Sequence, residues 1–183
     1  MNRALCSIGI LLLAGAGAYA QDGATKAEVG LNYSFVNRNN EQFTNSFHQN
    51  GGSGYIEYNL NRTVGLVADL GGYTGDFNRQ TFTYLFGPRL NLRTARFVPY
   101  VQFLFGGANE WGVVRGTNVS TTQNGFAYAA GGGLDVNVTR HFAVKPFQLE
   151  YLSTQIPQLG SNLNSVQNNL RYSAGIVYRF GAR

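Results

Sequence analysis

The chain holds one cysteine in 183 residues, Cys6, and it lies within the first twenty. The rest of the chain has no disulfide or thiol chemistry to offer. Cys6 stands too near the start, and lacks the following small residues, for a lipoprotein cleavage box. Charge is also scarce: charged residues make up 13%, against about 25% in ordinary soluble domains. Beyond residue 20 there is no run of the roughly eighteen apolar residues that a membrane-spanning helix requires. Histidine occurs only at His48 and His141, far apart, so no metal centre with the usual ligand spacing is expected. Neither a P-loop nor a complete G-x-G-x-x-G is present, and no cofactor is expected.

The first twenty residues have the build of a cleavable export signal. Arg3 lies near the start, an apolar stretch runs from Ile8 to Ala18, and Ala18-Tyr19-Ala20 offers a small-residue cleavage site. The apolar core, broken by Gly15 and Gly17, is about half the length a spanning helix needs. The reading is therefore a signal peptide over 1–20 and one domain over 21–183. The formal net charge is +5. Its basic excess reads as scattered along the sequence, with several arginines in short turns, and a nucleic-acid surface is not expected.

What is abundant is alternation. From Lys26 onward, eight segments place apolar side chains at every second position, the spacing that sends neighbours to opposite faces of a strand. The first has Ala27, Val29, Leu31, Tyr33 and Phe35 on one face and Glu28, Gly30, Asn32 and Ser34 on the other. The second sets Ile56, Tyr58 and Leu60 against Tyr55, Glu57 and Asn59; the third sets Val64, Leu66, Ala68 and Leu70 against Gly65, Val67, Asp69 and Gly71. In the fourth, Phe82, Tyr84, Phe86 and Leu90 oppose Thr83, Gly87, Arg89 and Asn91. Val101, Phe103 and Phe105 mark the fifth, and Phe126, Tyr128, Ala130, Leu134 and Val136 the sixth. The eighth runs from Leu170 to Phe180, with Arg171, Ser173, Gly175, Val177 and Arg179 on its polar face.

The seventh segment switches sides. Phe142 and Val144 share parity with Gln148 and Glu150, whereas Lys145 shares parity with Phe147, Leu149 and Tyr151. One extra residue restores the register, and Pro146, lacking an N–H, is tolerated at bulges. A β-bulge is expected at Lys145 to Phe147.

Connections alternate in length. Asn61 to Thr63, Arg93 to Arg96 and Asn137 to Arg140 read as tight turns; Val36 to Gly52, Thr74 to Gln80, Ala108 to Asn124 and Gln155 to Gln167 read as longer polar loops. Short turns on one rim and long loops on the other describe an all-β, up-and-down antiparallel transmembrane barrel of eight strands, with both termini on the periplasmic side.

Charge placement decides which face meets lipid. On this register the apolar face carries no charged residue. A water-facing surface would be rich in lysine and glutamate, and a lysine or arginine on a lipid face costs roughly 2–4 kcal/mol at mid-membrane. The inward face collects Glu28, Glu57, Asp69, Asp135 and Glu150 against Arg89, Lys145, Arg171 and Arg179. An eight-stranded lumen is just wide enough for side chains to fill, so these charges are expected to pair with one another, or with trapped water, as a structural network. Aromatic rings at Tyr33, Phe35, Tyr58, Phe82, Tyr151, Tyr172 and Tyr178 suggest interfacial girdles near strand ends.

The tract Leu85-Phe86-Gly87-Pro88-Arg89-Leu90-Asn91, the tract from Gly131-Gly132-Gly133-Leu134-Asp135 through Thr139-Arg140-His141-Phe142-Ala143, and the Tyr172 to Phe180 strand resemble bacterial outer-membrane β-barrel domain proteins of the OmpA/OmpX type. The resemblance spans essentially the whole chain after residue 20 and rests on the overall pattern. It implies residence in the bacterial cell outer membrane, insertion by the barrel-assembly machinery, and a role in envelope integrity or surface contact. That machinery recognises a terminal aromatic; Phe180 would be it, although Gly181, Ala182 and Arg183 follow. A peptidoglycan-binding domain of the full-length OmpA kind is not expected, so cell-wall anchoring is not implied.

Some barrels of this size modify lipid A through a His-x-Ser pair. His48 is followed by Gln49-Asn50 and His141 by Phe142-Ala143, so no enzyme is expected. Expected partners are outer-membrane lipid and lipopolysaccharide, with the chain a monomer. A structural or surface-interaction role through the four long loops is expected, and in the loop from Ala108 to Asn124, Trp111 and Arg115 are candidate contact residues. A small pore for ions or solutes is the alternative function. A soluble periplasmic carrier of lipocalin type is a third reading.

Overall fold

The computed structural model describes residues 25–39, 47–75, 80–113, 120–157 and 164–181. The proposed leader, residue Arg115 and the centres of the long connections lie outside the described residues.

Alternation becomes wall and lumen without exception over long stretches. From Gly65 to Tyr73 every second residue is buried and those between are exposed, and the same holds from Leu85 to Asn91. Eight strands result: β1 (Ala27–Asn39), β2 (Phe47–Asn59), β3 (Val64–Gly75), β4 (Gln80–Asn91), β5 (Phe97–Val113), β6 (Ser120–Asn137), β7 (Phe142–Pro157) and β8 (Asn164–Phe180). Each pairs antiparallel with its neighbours in sequence, and β8 pairs with β1, closing the barrel. Closure leaves no unpaired edge, the condition for a sheet to cross hydrocarbon.

Side chains close the short turns. Asn61 Oδ1 accepts the N–H groups of Thr63 (2.8 Å) and Val64 (2.7 Å). Thr94 Oγ1 accepts from Phe97 N at 3.1 Å, and Thr139 Oγ1 from Phe142 N at 3.0 Å. These short polar side chains replace the ladder partners that the chain reversal removes.

The bulge in β7 lies where the parity switch required it. Lys145 pairs with Gly175 and Gln148 with Ser173, so Pro146 and Phe147 together face one residue of β8. Both point outward and are exposed, while Lys145 and Gln148 are buried. The β6 ladder shifts at the same level, between Leu134 and Val136.

The strands outrun the loops that the sequence suggested. The expected Ala108–Asn124 loop is largely strand, since β5 continues to Val113 and β6 begins at Ser120. Hydrogen bonding continues there because Asn109 pairs with Asn124 and Trp111 with Thr122. The outer surface changes character at that height. Phe103, Tyr128 and Tyr151 form a row with ring centroids 6.3 Å apart, and beyond it Asn109, Thr122, Asn124 and Gln155 join Phe126 and Trp111 at the outward positions. Of the expected girdle rings, Tyr58, Phe82 and Tyr178 lie within three residues of a strand end. Tyr33, Phe35, Tyr151 and Tyr172 lie further in, because their strands continue past them.

Candidate functional site: the ionic lumen

All nine charged residues assigned to the lumen point inward, with relative exposures of 0–4%. The register explains much of their meeting. Arg89 sits opposite Gln102, Gln102 opposite Gly131, Gly131 opposite Glu150 and Glu150 opposite Arg171, so one row of the sheet carries the chain of contacts. Along it Arg89 Nε donates to Gln102 Oε1 at 2.7 Å, Gln102 Nε2 to Glu150 Oε1 at 2.6 Å, and Arg171 Nε to Glu150 Oε2 at 2.7 Å.

Other contacts cross the lumen and are not readable from the sheet ladder. Arg171 Nη1 donates to Asp69 Oδ1 at 3.0 Å and to Tyr73 Oη at 2.7 Å. Arg89 Nη1 donates to Glu57 Oε2 at 2.8 Å. Nearer the short turns, Glu28 and Glu57 stand directly opposite each other on β1 and β2, an arrangement that repels unless a cation intervenes. Arg179 Nε supplies one to Glu28 at 2.9 Å. Asp135 is 3.9 Å from Arg179 Nη2, and Asn137 accepts from Arg179 Nη1.

A residue assigned to a tight turn supplies the second cation. Arg93 reaches back into the lumen, 2.6 Å from Glu28 and 4.0 Å from Glu57, and also donates to Asn59. It shares parity with Arg89 and Asn91, so the strand alternation carried one step further would have found it. With Arg93 included, five acids meet five bases.

Lys145 is held differently. Its Nζ donates to Gln148 Oε1 at 2.9 Å and lies 4.1 Å above the Tyr55 ring and 5.1 Å from the centre of Tyr100. The Arg89 guanidinium lies over the same two rings, at 4.6 and 4.3 Å. Desolvated cations gain most from such ring faces. Two glycines make room for them. A Cβ on Gly30 would come within 2.1 Å of the Tyr55 ring, and one on Gly133 within 2.6 Å of the Tyr100 hydroxyl and 2.7 Å of the Phe147 carbonyl.

Toward the long-loop end an apolar patch lies on the β4 to β7 side of the lumen, while Ser34, Gln49, Thr81, Thr83 and Asn169 are buried there as well. Leu85, Leu104, Ala108, Ala127, Ala129 and Leu152 belong to one buried cluster. Leu104 alternates with the outward Phe103 and Phe105, but a single inward leucine defines no layer until Leu85 and Leu152 close around it.

Outside, the wall is hydrocarbon: Leu31, Ile56, Leu70, Phe86, Val101, Phe103 and Ile176 are all about half exposed, between 49% and 61%. Trp111 is 40% exposed and lies on β5, not in a loop. Among the described residues, no group of three or more metal-ligating side chains is present.

A closed eight-stranded antiparallel barrel with an apolar exterior and an ionic interior defines an integral membrane β-barrel of the outer-membrane class. Residues 7–180 match the model of the outer membrane protein beta-barrel domain, and the chain belongs to that family. It is a protein of the bacterial outer membrane. Among solved structures it is similar to Ail, the attachment invasion locus protein of Yersinia pestis, at 17% identity and a TM-score of 0.59, over 85% of this chain and 99% of that one. Neisserial surface protein A is similar at 15% identity and a TM-score of 0.62, over 87% and 100%. The N-terminal barrel of Pseudomonas aeruginosa OprF is similar at 17% identity and a TM-score of 0.56, over 86% and 100%. At these identities the likeness is one of fold. No curated protein matches the chain.

Proposed function

We propose that the barrel is a non-conducting, non-enzymatic scaffold that holds a surface-contact wall above the outer membrane and adds to envelope integrity. The contact chain from Glu57 through Arg89, Gln102, Glu150 and Arg171 to Asp69 supports this reading, since it spans the lumen side to side. An ion entering would have to break several charge-assisted hydrogen bonds among buried side chains, each stronger than a neutral one. The apolar cluster around Leu104 adds a second obstacle. The contact surface would be the part of β5 to β8 that continues past the aromatic row, with Trp111 on its outer face. Arg115, in the connection between β5 and β6, is its sequence neighbour there.

Planar-bilayer recording of the purified protein tests the closed lumen. Silence is expected, and reproducible unitary conductance would replace this reading with a pore. Alanine at Trp111 and Arg115 together should weaken whole-cell adhesion while leaving heat-modifiable gel mobility unchanged. Unchanged adhesion would remove the contact role from this wall.

A further inference from the structure

The basic excess that looks scattered in the sequence is gathered at one end of the barrel. The lumen is balanced at five and five. The connections and strand ends on the long-loop side carry Arg38, Arg79 and Arg115 against Glu41, Asp76 and Glu110. What remains between Thr25 and Gly181 is Lys26, Arg62, Arg96 and Arg140, with no acid to match them. Lys26 directly precedes β1, and the three arginines lie in the three short turns. One cation therefore stands at every second strand around the periplasmic rim. All four are exposed, and among the described residues none of them forms an ion pair.

The same rim is unusually apolar. Leu92 and Val138, both turn residues, are 67% and 65% exposed. Phe97 follows Arg96 directly, and Phe142 lies two residues after Arg140. Tyr178 packs edge-on against both Phe142 and Phe180, with centroids 5.0 and 4.7 Å apart, and His141 stacks on Tyr178. Leucine and valine on a water-washed turn would gain nothing, whereas at the acyl boundary of a leaflet they are buried. That places the neighbouring guanidinium groups at headgroup height. Guanidinium forks match phosphate oxygens in paired hydrogen bonds.

We propose that this rim is a collar that selects anionic over zwitterionic phospholipid, through the net negative charge of the headgroup, from the periplasmic leaflet of the outer membrane. The apolar turn residues favour a lipid over a carboxylated polymer such as peptidoglycan, which would offer Leu92 and Val138 nothing to bury against. The collar is independent of whether the lumen conducts.

The test is native mass spectrometry of the full chain released from nanodiscs of equal phosphatidylglycerol and phosphatidylcholine. Retained lipid should favour phosphatidylglycerol by about fivefold or more, the scale of one surface cation acting on an anionic headgroup. The preference should fall as salt rises toward 1 M, where the screening length is about 3 Å. It should vanish in Lys26→Gln/Arg62→Gln/Arg96→Gln/Arg140→Gln, whose turns keep their Asn61, Thr94 and Thr139 closures and whose folding is checked by gel mobility. If the quadruple variant fails to fold, the four single variants should each reduce the preference. Equal retention of the two lipids by the wild-type chain, or a preference that survives the substitutions, overturns the proposal. So does arginine-dependent capture by purified cell-wall sacculi without lipid preference.

Discussion

Arg171 on β8 donates a hydrogen bond to Asp69 on β3 at 3.0 Å, across the lumen and 102 residues apart in sequence. The same guanidinium holds Glu150 on the neighbouring strand. Three strands, β3, β7 and β8, are thus tied through one buried cation.

Removing that cation should be costly. Arg171→Met leaves Asp69 and Glu150 buried without their partner, which lowers unfolding free energy by about 3–5 kcal/mol. Urea unfolding in vesicles measures it. Arg171→Met combined with Asp69→Leu and Glu150→Met should lose less than the single variant, because neither of the carboxylates that Arg171 held stays behind without it.

The glycines beneath the two tyrosines give a steric test. Gly30→Ala and Gly133→Ala force Tyr55 and Tyr100 off the cations they cover and should each cost about 1–3 kcal/mol by overpacking. Gly72→Ala is the matched control: a Cβ there meets nothing within 4 Å, so its unfolding midpoint should stay within the error of the wild type.

The height of the hydrocarbon band can be read with single arginines. Ala68 faces outward on β3 between Ile56 and Phe86, so Ala68→Arg should destabilise by roughly 2–4 kcal/mol in vesicles. Thr122→Arg, beyond the aromatic row, should cost about 1 kcal/mol or less. Equal penalties at the two sites would show that β5 and β6 do not rise above the bilayer.

Pro146 marks a place where one residue can be deleted without inverting the strand. Removing it leaves Lys145 inward, Phe147 outward and Gln148 inward, so the faces still alternate. Deleting Leu149 instead turns Glu150 toward lipid on every register that keeps Gln148 inside. Deletion of Pro146 should give a folded, heat-modifiable barrel, and deletion of Leu149 should not.

The inward and outward faces were legible because strand periodicity is local: Gly65 to Tyr73 needs only its own alternation to declare its two sides. The bulge was legible for the same reason, as Lys145 and Gln148 could not both be inward on an unbroken strand. Arg93 was legible only by carrying the alternation of β4 past its last residue, Asn91, and nothing local in the sequence says that parity persists into a turn. Trp111 was misplaced because Asn109, Thr122 and Asn124 lack the apolar alternation of a membrane strand, and only cross-strand pairing kept that segment extended.

By itself the sequence determined strand number, face, bulge and the lipid-facing side, all of which follow from side-chain parity and the penalty for charge in hydrocarbon. Only the closed barrel decided which acid meets which base, and that the unmatched arginines encircle one rim. Pairings such as Arg171 with Asp69 depend on the curvature that brings opposite walls within reach, a property that no single segment encodes.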